Sequence, residues 1–318
     1  MLIISSAFAA IIPMIAYLIL IWRFDRYDRE PFKLVLTCYF WGAVGAIIFS
    51  LIGSFIFSGL LSFLSSSEQQ LAHWGTIVVA PVVEEITKGI FLFVIVANRK
   101  FDNLTDGIVY GGAIGLGFGM TENFLYFISY GTTVSDWIAI VIIRTLFSAV
   151  MHCVATAIFG AFLGHAKFNG KNKFLLSLAG LTIAIFIHFA WNFSVSFQST
   201  AALGFLFLFA TVIIFIAAFS ASVLQEKRII YEELLPETQT GIIPANHVNI
   251  LCSPARNFPG WINENIREVY VRSATTLAFR KKQLKYSKGK SRIFYETDVV
   301  NYREFIRNLL SSSGKTDG

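Results

Sequence analysis

Glu84, Glu85 and Lys88 stand inside the run "APVVEEITKG", in a stretch otherwise built of Ile, Val, Phe and Leu. Comparable apolar surroundings hold Glu122 with Asn123 and Tyr126, then Arg144, His152, and His188 with Asn192. A charge at the centre of a hydrocarbon layer costs about 2.5–3.5 kcal/mol, so these groups must face one another or water. Spacing groups some of them already. Glu84 and Lys88 are i,i+4 neighbours and Glu85 and Lys88 are i,i+3, so the ammonium can serve either carboxylate. Glu122 shares a helix face with Tyr126, and His188 with Asn192. Adjacent Glu84 and Glu85 point about 100° apart, so one at most aims squarely at a common centre. Because Glu84 holds the i,i+4 place relative to Lys88, Glu85 is the favoured water-facing carboxylate.

Two imidazoles with carboxylates suit Zn²⁺, one coordination position being left for water. Glu122, His152 and His188 are the expected donors, and Glu84 or Glu85 is the general base on that water. Asn192 reaches a tetrahedral oxyanion through its amide N–H, and Lys88 tunes the glutamates. A metal-free glutamate mechanism, with the histidines as oxyanion donors, needs the same residues, so zinc stays open. No HExxH occurs, and no Ser or Cys has a His/Asp companion pattern. Cys38, Cys153 and Cys252 are scattered and read as apolar packing residues, without a disulfide framework or CxxC pair. Plainer roles compete: a lone intramembrane His often only bonds helix to helix, and Arg144 suits an ion pair or snorkelling. For the glutamate pair the plain role fails, since one bond to Lys88 leaves a carboxylate over. His73, His165 and His247 fall in loops or the tail and are expected in solvent.

The elements that must position these groups are membrane spans. The chain has 318 residues, 55% hydrophobic and 14% charged, against about 25% charged in soluble domains; its mean hydropathy is +0.63. Apolar windows of spanning length, roughly 17–25 residues, lie at 2–22, 34–58, 75–97, 107–130, 138–163, 174–197 and 200–224. The first lacks a basic leading region and a cleavage site, so it reads as a retained span. Connections with Lys and Arg alternate with connections that lack them. Arg23, Arg26, Arg29 and Lys33, then Arg99 and Lys100, then "HAKFNGKNK" and the tail are basic; the loops between are not. The expected fold is therefore all-α and polytopic, with about seven transmembrane helices, the N-terminus outside and the C-terminus cytoplasmic.

Counted from the outer ends, Glu84 and Glu85 lie about 10 residues in, Glu122 about 8 and His188 about 9, with His152 deeper at about 15. At about 1.5 Å per residue, four helices deliver these groups to nearly one level, somewhat outside the midplane. Gly107, Gly111, Gly115 and Gly119 recur at every fourth residue, a packing face that also suggests a groove for a substrate helix. Residues 1–225 form the membrane domain and 226–318 a cytoplasmic tail, which holds 15 of the 26 Lys and Arg against 10 acidic residues. Its segment 237–260 reads as loop, followed by two helical stretches. The cluster Arg280, Lys281, Lys282, Lys285, Lys288, Lys290 and Arg292 suits anionic lipid headgroups or a solvated basic face. No nucleic-acid motif accompanies it.

The "EEITK" stretch (Glu84, Glu85, Lys88) resembles the paired-glutamate motif of PrsW-type intramembrane proteases. "ENFLY" (Glu122–Tyr126) is similar to their second motif, His152 and His188 match their later histidines, and "DREP" (Asp28–Pro31) resembles the loop after their first span. The likeness covers roughly residues 10–200. More distantly the set resembles the CAAX prenyl endopeptidase and bacteriocin-processing superfamily, whose FxxxH is displaced here: four before His152 stands Ser148, with Phe147 one position off. The resemblance implies a multi-pass protease of the bacterial inner membrane. It would cut a membrane-anchored protein, typically a single-span anti-sigma factor, near the extracytoplasmic side. A proton- or cation-coupled transporter is the rival from another class, since Glu/Lys/His networks also relay protons. It lacks a convincing internal repeat, and Pro13 and Pro81 are the only span prolines. A silent scaffold acting through the tail leaves the convergence of polar groups unexplained.

Overall fold

The computed structural model describes residues 2–61, 63, 67–98, 101, 103–169 and 172–313, and among these all regular structure is helical. Helix α1 covers Leu2–Phe24. Helix α2 (Phe32–Phe40) runs through a π turn, Trp41–Ala46, into α3 (Ile47–Leu61), and α4 (Glu68–Trp74) runs through Gly75–Val79 into α5 (Ala80–Ala97). Helix α6 is Leu104–Tyr130, and α7 (Val134–Ile143) passes through the π turn Arg144–Ser148 into α8 (Ala149–Asn169). Helices α9 (Lys173–Val195), α10 (Ala201–Gln239), α11 (Ala245–Leu251), α12 (Glu264–Tyr286) and α13 (Gly289–Ser313) complete the chain. Arg99, Lys100 and Lys171, used above for orientation, lie outside the described residues.

Among the described residues, five helical stretches are long and apolar enough to cross a membrane: Leu2–Phe24, Phe32–Leu60, Val134–Phe168, Lys173–Val195 and Ala201–Gln239. This is a polytopic membrane protein. Helices α5 and α6 fall outside that set for a compositional reason: one carries Glu84, Glu85 and Lys88, the other is rich in glycine. Polarity is inverted relative to a soluble domain. Phe55 is 82% exposed and Phe209 65%, whereas Glu85 and Lys88 are both at 0%. Burying the polar groups and offering the apolar ones outward is the arrangement lipid favours.

The chain divides into two compact units, one over residues 1–24, 30–167 and 171–219, the other over 25–29, 168–170 and 220–318. In the first, α6 is the central element: 17 of its 27 residues are buried. It begins with a capping box in which Asn103 and Asp106 each take the other's backbone N–H, satisfying two donors at the helix start. Its glycine face is filled by α8. A Cβ on Gly107, Gly111 or Gly115 would lie 2.1, 2.4 or 2.3 Å from the carbonyl oxygens of Gly160, Thr156 and His152 respectively. The expected substrate groove on this face is therefore corrected: small residues let two backbones touch, and the partner is α8 itself.

The second unit is better ordered than its composition suggests. The segment 237–260, read as loop, contains α11 and the short 3₁₀ turn Pro254–Asn257. Its Ile242, Ile243, Val248, Leu251 and Cys252 join Tyr270, Leu277, Phe279, Val299 and Ile306 in one apolar core. The basic cluster is partly consumed internally. Arg280 pairs with Asp298 at 3.1 Å, Lys285 with Glu233 at 2.5 Å, and Lys281 with Glu237. His247, expected in solvent, is buried: its Nδ1 lies 3.1 Å from Tyr270 Oη and its ring stands edge-on to Trp261. His73 and His165 are exposed.

Two outcomes follow from this packing. Gly115→Ala forces its new Cβ against His152 O, and such overpacking costs about 1–3 kcal/mol; thermal unfolding in detergent should register the loss. Gly59→Ala, whose Cβ meets nothing within 4 Å, should match or slightly exceed the parent. Burial holds the His247 imidazole below its usual value, so protonation favours the unfolded tail. The stabilisation is complete above about pH 6.5 and is lost as pH falls through the folded-state value. Hydrogen exchange in α11 and α12 should therefore accelerate between pH 7 and pH 5, and less so in His247→Gln.

Candidate active site

Four helices of the first unit meet at one buried cluster. Helix α5 contributes Glu84, Glu85 and Lys88, α6 contributes Glu122, α8 contributes His152 and Thr156, and α9 contributes His188. Lys88 Nζ lies 2.8 Å from Glu85 Oε1, 3.6 Å from Glu84 Oε2 and 2.9 Å from His152 Nδ1, with the Phe118 ring 3.9 Å beneath it. His188 Nδ1 lies 3.0 Å from Glu85 Oε1, and Thr156 Oγ1 donates to Glu85 Oε2 at 3.1 Å. Both oxygens of Glu85 are thus committed. The two imidazoles stand perpendicular, centroids 4.7 Å apart.

Glu84 is different. Its Oε2 is buried without a hydrogen-bond partner, 3.8 Å from His188 Nε2. The sequence expectation about the pair is corrected here: Glu85, at i,i+3, binds Lys88 more closely than Glu84 does at i,i+4. The i,i+3 carboxylate is the one that α8 and α9 cover, so the ammonium turns inward to it. The carboxylate of the pair with an oxygen outside the hydrogen-bond network is Glu84.

Glu122 also takes a place other than the expected one. Its Oε2 receives His152 Nε2 at 2.6 Å and Arg144 at 2.8 Å, so it sits behind His152 as seen from the other groups. Among the described residues, the set with metal-ligand spacing is Glu84, His152 and His188, whose donor atoms lie within 4.8 Å of one another. Two imidazoles and a carboxylate are a zinc-type donor set. A Glu84 oxygen without a hydrogen bond, and three carboxylates grouped around one lysine and one arginine, fit a bound cation. Each histidine, moreover, has its other ring nitrogen against a carboxylate: His152 on Glu122 and His188 on Glu85. That is the arrangement that fixes tautomer and orientation in metal-binding histidines.

Asn192 is on the same wall, one turn from His188, but one amide N–H is spent: Nδ2 donates to Thr76 O at 3.0 Å. The reason is local. Thr76 lies in the π turn Gly75–Val79, whose i→i+5 pattern would draw on Pro81, and proline has no N–H to give. Tyr126 lies under the Arg144 guanidinium at 3.6 Å. Phe147 belongs to the π turn Arg144–Ser148 and stacks on Trp191. Thr156 went unnoticed in the sequence, yet it stands i+4 from His152 on the face that meets the glycines of α6.

Fold and site together describe a polytopic membrane protein with a buried glutamate–histidine centre, the build of a membrane-embedded peptidase. Residues 30–219 match the family described as PrsW family intramembrane metalloprotease, and the match ends where the first compact unit ends. Protease PrsW of Bacillus subtilis (strain 168) is 30% identical over 200 residues, covering 58% of this chain and 80% of that protein. Protease PrsW of Shouchella clausii is 27% identical over 194 residues, with 61% and 84% covered. That of Clostridioides difficile (strain 630) is 28% identical over 188 residues, with 58% and 76% covered. No solved structure matches. The chain belongs to the PrsW family of intramembrane metalloproteases and is a membrane-embedded peptidase.

The buried pair has a measurable consequence. Lys88→Met leaves Glu85 charged and without its closest cation, a loss of about 3–5 kcal/mol. Lys88→Met combined with Glu85→Gln should recover much of that in thermal unfolding, whereas additive losses would show that the two residues act separately.

Proposed function

We propose that this protease hydrolyses a peptide bond of a membrane-anchored protein near the extracytoplasmic side, using water activated by Glu84. The observation that carries the reading is Glu84 Oε2, a buried oxygen of the cluster that accepts no hydrogen bond among the described residues and lies against the imidazoles of His188 and His152. Glu85 holds His188 and Lys88 in place and is itself held by Thr156, a positioning role. Lys88 Nζ stands beside both glutamates, and Glu122 orients His152. His152, His188 and Glu84 are the residues that would hold zinc; ion binding competes with the hydrogen bond from Lys88 Nζ to His152 Nδ1. Zinc, when bound, supplies a Lewis acid that acidifies its water and polarises the scissile carbonyl. With Oε2 turned to the imidazoles, Glu84 keeps Oε1 for the proton of the attacking water. Asn192, anchored to Thr76 O through one N–H, offers its second to the oxyanion.

The topology in this reading is seven spans, with α5 and α6 added to the five apolar stretches, N-terminus outside and C-terminus cytoplasmic. Residues 1–225 are the protease domain and 226–318 a cytoplasmic tail. The alternation of basic connections supports that orientation, and a cluster biased towards the outer ends of the helices supports extracytoplasmic cleavage. A bacterial inner membrane and a single-span anti-sigma factor as substrate follow from the family resemblance. Lys282, Lys288 and Lys290, which form no ion pair among the described residues, suit anionic headgroups.

The test is cleavage of a labelled single-span substrate by the purified protein, with and without chelator. Glu84→Gln should lower the rate about 10²–10⁴-fold, the usual worth of a positioned base; His188→Ala should lower it comparably, and chelation should do so reversibly with zinc. Undiminished cleavage by both variants would remove this assignment, and substrate-free ion flux lost in the same variants would favour transport instead.

A further inference from the structure

We infer that Arg144 is a positioning residue of the hydrolytic centre, fixing the Glu122 carboxylate on His152 and thereby setting which ring nitrogen of His152 faces Lys88 and Glu84. This rests on the reading of His152 as part of that centre.

Arg144 touches three groups of α6 at once. It approaches Glu122 Oε2 at 2.8 Å, its Nε donates to Asn123 Oδ1 at 3.1 Å, and its guanidinium plane lies over the Tyr126 ring at 3.6 Å. Glu122 Oε2 is the oxygen that His152 Nε2 meets at 2.6 Å. An ammonium donor, Lys88 Nζ, occupies the other ring nitrogen, Nδ1, so Nδ1 accepts and Nε2–H donates to Glu122. The Glu122 side chain is 20% exposed, and among the described residues Arg144 is the group besides His152 that holds its carboxylate. Release it, and His152 loses the acceptor that selects its tautomer.

The backbone explains why residue 144 reaches this place. Residues eight apart on an uninterrupted α-helix are about 80° apart around the axis. Arg144 and His152 are separated by the π turn Arg144–Ser148, whose wider winding takes up much of that offset. Both side chains then reach one Glu122 oxygen from α7–α8. Lysine could not substitute, because pairing, donating to an amide and stacking on a ring together need a planar, multi-donor head.

The experiment uses the full chain in detergent, comparing Arg144→Ala, Arg144→Lys and His152→Ala. Co²⁺ is the metal probe, read by its visible absorption, alongside kcat and KM for a single-span substrate. Arg144→Ala should weaken Co²⁺ binding and lower kcat, each about 10–100-fold, the usual effect of removing an outer-shell partner, with KM changed less than about twofold. Millimolar guanidinium, far below denaturing concentration, should restore part of the lost kcat in Arg144→Ala. Arg144→Lys should recover little despite its charge. Parental kcat and Co²⁺ binding in Arg144→Ala would overturn the inference, as would a loss of kcat matched by lost thermal stability and unmoved by guanidinium. His152→Ala separates the two levels: if it cleaves like the parent, the assignment of the centre fails, whatever Arg144 does.

Discussion

Glu85 and Lys88 lie 2.8 Å apart with no exposed side-chain surface, inside helices whose outer faces suit lipid. Neither group is tolerable there without the other, and even the pair leaves lone pairs and protons to satisfy. His188, Thr156 and His152 meet that demand from α8 and α9. The first unit can be understood outward from this pair. The glycines of α6 draw α8 close enough for His152 and Thr156 to reach α5, and α9 brings His188 from the other side. One carboxylate, Glu84, is left with an oxygen that faces the imidazoles and accepts no hydrogen bond among the described residues.

Irregular backbone recurs around this centre. Among the described residues three helical runs contain a π turn, at Trp41–Ala46, Gly75–Val79 and Arg144–Ser148. Within a membrane an open carbonyl must find a protein donor, and here the donors are side chains near the cluster. Thr76 O takes Asn192, while the turn at Arg144 sets a guanidinium against Glu122 and Tyr126. Trp41, at the start of the first π turn, donates to Thr87 O beside Lys88. The wider turns therefore tie the packing of neighbouring helices to the orientation of site residues, a recurrent use of π turns.

The second unit obeys ordinary soluble-domain rules, with Tyr270, Leu277 and Phe279 buried and its carboxylates neutralised by Lys281, Lys285 and Arg303. Its basic composition is thus partly structural. The family match ends at residue 219, before residues 220–318 of this unit.

Much of the membrane unit was legible in sequence because lipid enforces simple rules. Spans near 30 Å need about 20 apolar residues, and charges inside them must converge, so the helices and the identities of Glu84, Glu85, Lys88, Glu122, His152 and His188 could be read from type and spacing. A periodic glycine face announced a close helix contact. Contact across helices was not legible. Rotation about each axis, altered by the π turns, decided that Glu85 rather than Glu84 takes Lys88, that Glu122 stands behind His152, and that Asn192 closes on Thr76. The glycine face likewise could not name its partner. In the tail, sequence gave the two long helices but read 237–260 as loop, because Pro, Gly and Asn mark turns without revealing that Ile242, Val248 and Leu251 share a core. Composition and periodicity determine which groups must be buried together; only the packed helices decide which atom of each group meets which.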